Sequence, residues 1–268
     1  MKIVQDSEIM DYKGRDNLLS ERVVLITGAG AGIGRAVAIA CAAQGATVIL
    51  LGRKVPRLEE VYDEIVNAGS PRPSIVPMDL EKAQGEHYQA LVDALESEHG
   101  RLDGLVHNAG ILGERSPIGH FDVGTWQRVM HVNLTAPFIL TRCLLPLLQT
   151  AKDPSIVFTS SGVGRRGKAF WGAYAVSKFG TEGLMQVLAD ELEGTRPPVR
   201  VNCINPGPVR TELRYRAYPA EDRDKLRKPD EIVGPYLYLL GPDSEAITGQ
   251  SFDCQPPASA PDTSKRTH

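Results

Sequence analysis

Arg22-Val-Val-Leu-Ile-Thr27-Gly28-Ala29-Gly30-Ala31-Gly32-Ile33-Gly34 is an apolar, β-branched run that halts at glycines, and a helical pattern follows at once over 33–44. Strand, glycine turn and helix in that order open a βαβ unit. Glycines permit a tight turn and a close backbone approach to a pyrophosphate, whose charge then sits at the helix N-terminus. The spacing is Gly28-x-x-x-Gly32-x-Gly34; Gly-x-Gly-x-x-Gly fits in no frame, because its third position falls on Ile33 or Arg35. A glycine-rich connection that holds no ligand is the plainer alternative.

The alternation continues along the chain. Strand patterns lie over 47–51, 74–77, 102–107, 155–159, 199–204 and about 250–254. Between them, helical patterns lie over 57–68, about 84–98, 123–148, 173–193 and about 230–240. This predicts an α/β chain: a single-domain, doubly wound Rossmann fold. Its mostly parallel seven-stranded sheet, in the order 3-2-1-4-5-6-7, would carry helices on both faces. Ligands gather at the carboxyl ends of such strands. Residues 1–18 are expected to form an N-terminal extension, 19–254 the domain, and 255–268, rich in Pro, Ser, Thr and charge, a disordered tail.

The composition, with 268 residues of which 42% are hydrophobic and 24% charged, suits one domain that buries its own core. A net charge of −3 provides no global field for nucleic acid or an anionic membrane. The charged residues before Val23 exclude the pattern of a secretory leader, and no stretch offers ~18 consecutive apolar residues. Cys41, Cys143, Cys203 and Cys254 are scattered, without Cys-x-x-Cys spacing, so reduced thiols and a cytoplasmic location are expected. The six histidines lack ligand spacing, and no metal is expected.

The chemistry concentrates in Ser161-Gly-Val-Gly-Arg-Arg-Gly-Lys-Ala-Phe-Trp-Gly-Ala-Tyr174-Ala-Val-Ser-Lys178. Tyr and Lys four apart on a helix share a face. A positive charge held near the phenol favours the phenolate and draws its pKa down from ~10 toward the working range. Alone, such pairs also arise on solvated helix faces. At the end of the second strand, Leu51-Gly52-Arg53-Lys54 has no carboxylate to repel a 2′-phosphate, and Arg53 is able to grip one, which favours NADP(H) over NAD(H). A solvated turn is the alternative for Arg53 and Lys54.

With these motifs in order, the chain over 19–253 resembles the short-chain dehydrogenase/reductase family. Asp79 follows the third strand, Asn108-Ala109-Gly110 the fourth, Asn133 lies in the long helix where its pattern is interrupted before Pro137, and Pro206-Gly207 with Thr211 follows the sixth strand. More narrowly, Trp171-Gly-Ala-Tyr174, Val201-Asn-Cys-Ile-Asn-Pro206 and Phe252-Asp-Cys-Gln-Pro256 are similar to the YciK-like bacterial oxidoreductases, a subgroup with no settled substrate.

The resemblance implies hydride transfer between nicotinamide and a carbonyl or secondary alcohol, with Tyr174 as general acid or base. Ser161 would steady the substrate oxygen, and its spacing to Tyr174 favours it over Ser160. Lys178 would depress the Tyr174 pKa and hold the nicotinamide ribose. Asn133 would hold a water that supplies protons. The cofactor set would be Gly28, Gly30, Ala31, Gly32, Ile33, Gly34, Arg53, Asp79, Leu80, Asn108, Ala109, Gly110, Tyr174, Lys178, Pro206, Gly207, Val209 and Thr211. Read singly, Asp79 also suits a helix N-cap and Asn108 a turn. The expected partners are a small carbonyl or alcohol substrate and a second or further copies of the chain, as a homodimer or homotetramer through the helices over 123–148 and 173–193. No nucleic acid or membrane partner is expected.

A non-catalytic NADP(H)-binding sensor or scaffold is the competing function, but it would not need the Ser161, Tyr174, Lys178 and Asn133 set. A nucleotide-sugar epimerase would need more chain after Pro206. The sequence departs from the family in three places. His107 stands where a second Asn is common and reads as structural. Cys254-Gln-Pro-Pro replaces a glycine pair after the last strand, and the segment over 211–230 is rich in Arg and Tyr. That segment, with Arg210, Arg214, Arg216, Tyr215 and Tyr218, suggests an anionic or polar substrate; a solvated charged loop is the alternative.

Overall fold

Val23–Thr27 (β1) is buried at every position and lies at the centre of the sheet in the computed structural model, which describes residues 9–256. A near-continuous apolar strand of this kind needs cover on both faces. β1 lies between β2 (Thr47–Gly52) and β4 (Gly104–His107), and β3 (Ser74–Pro77) lies outside β2. Beyond β4 follow β5 (Ser155–Thr159), β6 (Arg200–Asn205) and β7 (Ser251–Asp253). The expected order 3-2-1-4-5-6-7 holds, and the sheet is wholly parallel because every pairing, the edge strand β7 included, runs the same way.

Alternate residues of β1 and β2 enter two different cores, as the period of two in a strand requires. Val24, Ile26, Val48 and Leu50 face α1 (Gly32–Ala43) and α2 (Val55–Asn67), through Val37, Cys41, Leu58 and Ile65. Val23, Leu25, Ile49 and Leu51 face α3 (Gly85–His99) through Tyr88, Leu91 and Leu95.

The long helix expected over 123–148 is interrupted. It consists of α4 (Val123–Met130), a π turn at His131–Thr135 and α5 (Ala136–Leu148). By length and composition this run would cross a membrane, with mean hydropathy 1.3, yet half of its apolar window is buried inside the protein. Leu140 and Leu144 of α5 and Met185 of α6 (Gly172–Leu192) complete the second core. The short helix α7 (Glu212–Ala217) lies in what reads from sequence as a charged loop. The last expected helix divides into a 3₁₀ turn at Pro229–Ile232 and α8 (Gly234–Leu240).

Residues 9–18 of the expected N-terminal extension lie on the core: Ile9 is buried, and the Tyr12 ring meets Tyr238 edge-on at 5.2 Å. Residues 1–8 lie outside the described residues, as do 257–268 of the expected tail. Gln255, where that tail begins, donates from Nε2 to the carbonyls of Pro206 and Pro208 at 2.8 and 3.0 Å.

The amino ends of the strands carry a charged clasp. Arg200, 3% exposed, forks onto Asp153 at 2.9 and 3.1 Å, and donates to Leu239 O and Ser244 Oγ. Arg22 reaches the same carboxylate at 2.6 Å. Cys41, Cys203 and Cys254 are buried, Cys143 is half-buried, and none of the four is in a disulfide.

Candidate active site

At the opposite end of the sheet, the turn after β1 is held by Thr27. Its Oγ1 accepts from the backbone N–H groups of Asn108 and Ala109, both at 3.0 Å, and donates to Val106 O. Asn108 Nδ2 donates to Thr27 O at 3.1 Å. The carboxyl ends of β1 and β4 are thereby tied together.

The glycines of this turn answer to specific neighbours. Gly28 has φ +69°, and a Cβ at Gly34 would lie 2.4 Å from Gly28 O and 2.5 Å from Asn108 Nδ2. Only glycine lets α1 start this close to the turn. The first turn of α1 contains no acidic residue, and Ala31 at its N-cap offers no side-chain acceptor. Its N–H groups and dipole therefore suit an anion. This donor set, in a cradle that Cβ atoms would fill, fits a dinucleotide pyrophosphate.

Arg53 and Lys54 are exposed at the end of β2 and make no ion pair among the described residues. Arg57 joins them, since a Cβ at Gly30 would lie 3.1 Å from the Arg57 Cβ. Sequence reasoning missed Arg57; its signal is a third cation four residues after Arg53.

Other expected cofactor residues carry structural bonds of their own. Asp79 Oδ1 accepts from Glu81 N at 3.2 Å within a turn rather than at a helix N-cap, which for α3 is Gln84, and Leu80 is buried. Thr211 Oγ1 accepts from Arg214 N to cap α7, while its Cγ2 would lie 3.3 Å from a Cβ at Gly32. Thr211 thus borders the glycine turn. Gly207 has φ +70°, and Val209 is buried.

Tyr174 and Lys178, on α6, are 7% and 5% exposed. It is Ser161, not Ser160, that acts on the Tyr174 phenol, pulling its pKa down. Ser160 Oγ is buried with no partner among the described residues. Lys178 Nζ lies 5.8 Å from the Tyr174 ring centroid and donates to Thr159 O at 2.6 Å.

Burial pushes the Tyr174 phenol up to about 12, against the lowering pull of Ser161. It also brings Lys178 down to about 8, opposed by Cys203 and Glu182. The expected depression of the phenol by Lys178 is not among the causes of its shift; burial raises it and only Ser161 opposes. The phenol stays protonated and the lysine charged at neutral pH.

Asn133, in the π turn, is buried. Its Oδ1 accepts from Ile111 N at 2.8 Å, and its Nδ2 donates to Ile111 O and Ser177 Oγ. A Cβ at Gly110 would lie 3.3 Å from Asn133 Oδ1 and 3.8 Å from Lys178 Nζ, so all three residues meet. Thr159 and Ser177 escaped the sequence reading: Thr159 acts through its main-chain carbonyl, which no side-chain pattern reveals.

His107 is structural. It is 5% exposed, stacks on Phe158 at 4.6 Å and hydrogen-bonds Thr141 Oγ1 at 2.8 Å. Burial, then the Lys178 charge, lowers its pKa to about 3.

The arginines expected to meet an anionic substrate are neutralised. Arg214 forks onto Glu221 at 2.6 and 2.5 Å, Arg216 pairs with Glu212, and Arg210 pairs with Asp224. Acidic residues interleave with these arginines, so Arg210, Arg214 and Arg216 are paired rather than free.

A family model described as short chain dehydrogenase matches residues 22–222. The chain is 48% identical to the uncharacterized oxidoreductase YciK of Escherichia coli K12, over 92% of this chain and 97% of that protein. A solved short chain dehydrogenase from Pseudomonas syringae is 53% identical, with TM-score 0.90, covering 91% of this chain and 99% of its own. Another, from Escherichia coli CFT073 and complexed with NADPH, is 48% identical with TM-score 0.87, covering 91% of this chain and all of its own.

Proposed function

The chain belongs to the short chain dehydrogenase family of oxidoreductases, and we propose that it reduces a carbonyl to a secondary alcohol, or runs the reverse, with NADP(H) and with Tyr174 as acid or base. The observation that carries this reading is the buried Tyr174 phenol with the equally buried Lys178 Nζ 5.8 Å from its ring, and with Ser161 acting on the same hydroxyl. A sensor or scaffold has no use for that arrangement.

NADP(H), when bound, supplies or accepts the hydride. Gly28, Gly30, Gly32 and the start of α1 would hold its pyrophosphate, and Arg53, Lys54 and Arg57 a 2′-phosphate. The NADPH complex of the Escherichia coli relative supports that choice over NAD(H).

In reduction, the Tyr174 hydroxyl gives its proton to the substrate oxygen while the carbonyl carbon takes the hydride. Ser161 donates a hydrogen bond to the same oxygen as charge develops there. A phenol held near 12 keeps its proton at neutral pH, the state an acid needs. The Lys178 ammonium then stabilises the phenolate left behind, for as long as the pH lies below its own value of about 8. Asn133 fixes Ile111 beside this group and would support proton supply.

The test is NADPH oxidation over a panel of ketones, quinones and acyl thioesters, in the wild type and in Tyr174→Phe. The substitution should lower kcat by about 10³-fold, the usual scale for a positioned acid. Turnover equal to wild type would refute the mechanism.

A further inference from the structure

We propose that the substrate carries a carboxylate or similar oxyanion group, bound by Arg115 and Lys168 against the rings of Trp171 and Tyr218. This rests on the reading of Tyr174 as the acid. Loops from the carboxyl ends of β4, β5 and β6 converge here, one indole away from the phenol. The Trp171 ring lies 5.8 Å from that of Tyr174 and 5.7 Å from that of Tyr218.

Arg115 Cζ sits 5.1 Å from the Trp171 centroid and 5.3 Å from the Tyr218 centroid, with Nη1 donating to Ala217 O at 2.5 Å. Lys168 Nζ donates to Tyr218 OH at 3.0 Å. Both side chains are exposed, and among the described residues neither has a carboxylate partner. The neighbouring arginines of α7 all have one. Among the described residues Arg115, Lys168 and Arg166 are left unpaired, as is Arg223 on the Tyr215 ring, whereas Arg214, 4.0 Å from the Tyr218 centroid, is held by Glu221.

Three further features point to a ligand. The Trp171 indole is 4% exposed and its Nε1–H is buried without an acceptor among the described residues. An unmet buried donor is costly, and an oxyanion would satisfy it. Phe170, half-exposed beside it, has φ +70°, a conformation a bulky side chain rarely holds without a functional reason. A cleft of about 540 Å³, lined by the segment that follows Ser161, includes Arg166 and Lys168. A planar guanidinium on aromatic faces, beside an ammonium, recognises a flat acid.

The competing account is a latch: Arg115 and Lys168 only hold residues 217–218 in place. A latch would affect neutral and anionic substrates alike. The experiment compares kcat/KM for 4-acetylbenzoate and acetophenone, with NADPH, in the wild type, Arg115→Gln, Lys168→Met and Arg115→Lys. It is paired with tryptophan-fluorescence titrations of benzoate and benzamide.

The wild-type ratio should favour the acid by at least about tenfold, the scale of one charge-assisted hydrogen bond. Arg115→Gln and Lys168→Met should each collapse most of that ratio, and Arg115→Lys should restore part of it. A ratio near one in the wild type, or one that both neutral substitutions leave intact, overturns the inference while the hydride reading stands. If neither ketone is reduced but benzoate binds better than benzamide, and loses that advantage in both variants, the anion site stands, and the acid role of Tyr174 is decided by the Tyr174→Phe panel. No turnover and no preference for benzoate overturns the inference.

Discussion

His107 shows how one position trades an expected hydrogen-bonding residue for a packed one. Its ring is buried between Phe158 and Thr141, and its pKa falls from 6.5 to about 3. Between those values the unfolded chain binds a proton that the folded chain refuses. Stability contributed by the neutral ring is thus complete above about pH 6.5 and is lost as pH falls toward 3. From pH 7 to pH 5 the loss should be about 2 kcal/mol. Urea unfolding of wild type and His107→Asn at both pH values measures it: the variant should lose about that much less than the wild type, and identical losses would show that the ring does not titrate in this way. Tyr174, Lys178 and Ser161 were legible once the glycine turn, the order of strands and helices and the family resemblance stood beside their spacing. What spacing could not give was the balance of forces on them, because burial, which raises the phenol and lowers the lysine, is a property of the folded surroundings.

At the scale of elements, the junction of β2 and α2 gathers Arg53, Lys54 and Arg57 beside the glycine turn without a carboxylate partner among the described residues. That absence matters because nearby Arg35 is already paired with Glu64 and is not available in the same way. Arg53→Ala should raise the Kd for NADPH about tenfold or more while changing that for NADH little, since a charge-assisted contact to the 2′-phosphate is removed. Equal losses for both nucleotides, read by fluorescence titration, would refute the phosphate contact. The strands and most helices were readable from period and glycine placement. An interruption at Asn133 was readable as well, but its π geometry over His131–Thr135 was not, since one added residue leaves the apolar pattern of a long helix nearly unchanged. Nor was α7, whose six residues carry too little apolar pattern to separate it from a loop.

Across the whole molecule, the two ends of the sheet have different tasks. The carboxyl ends hold Thr27, Ser161, Tyr174 and Thr211, whereas the amino ends hold the clasp of Arg22, Asp153 and Arg200. Removing the shared carboxylate leaves the Arg200 charge buried and unpaired, which costs about 3 kcal/mol. Asp153→Ala should therefore lower Tm by about 9 °C, with kcat per folded molecule unchanged. A Tm within a degree of wild type would show that the clasp contributes nothing net. The strand order was legible from the sequence because parallel crossovers leave few alternatives. The clasp was not, since its members are 131 and 47 residues apart along the chain and meet only once the sheet has formed.

The four cysteines have a practical side. Cys41 and Cys203 are buried and their thiols are held well above the usual range, and Cys254 is buried as well. A maleimide, which reacts with accessible thiolate, finds only Cys143 on α5 within reach. The native chain thus offers one addressable point for a dye.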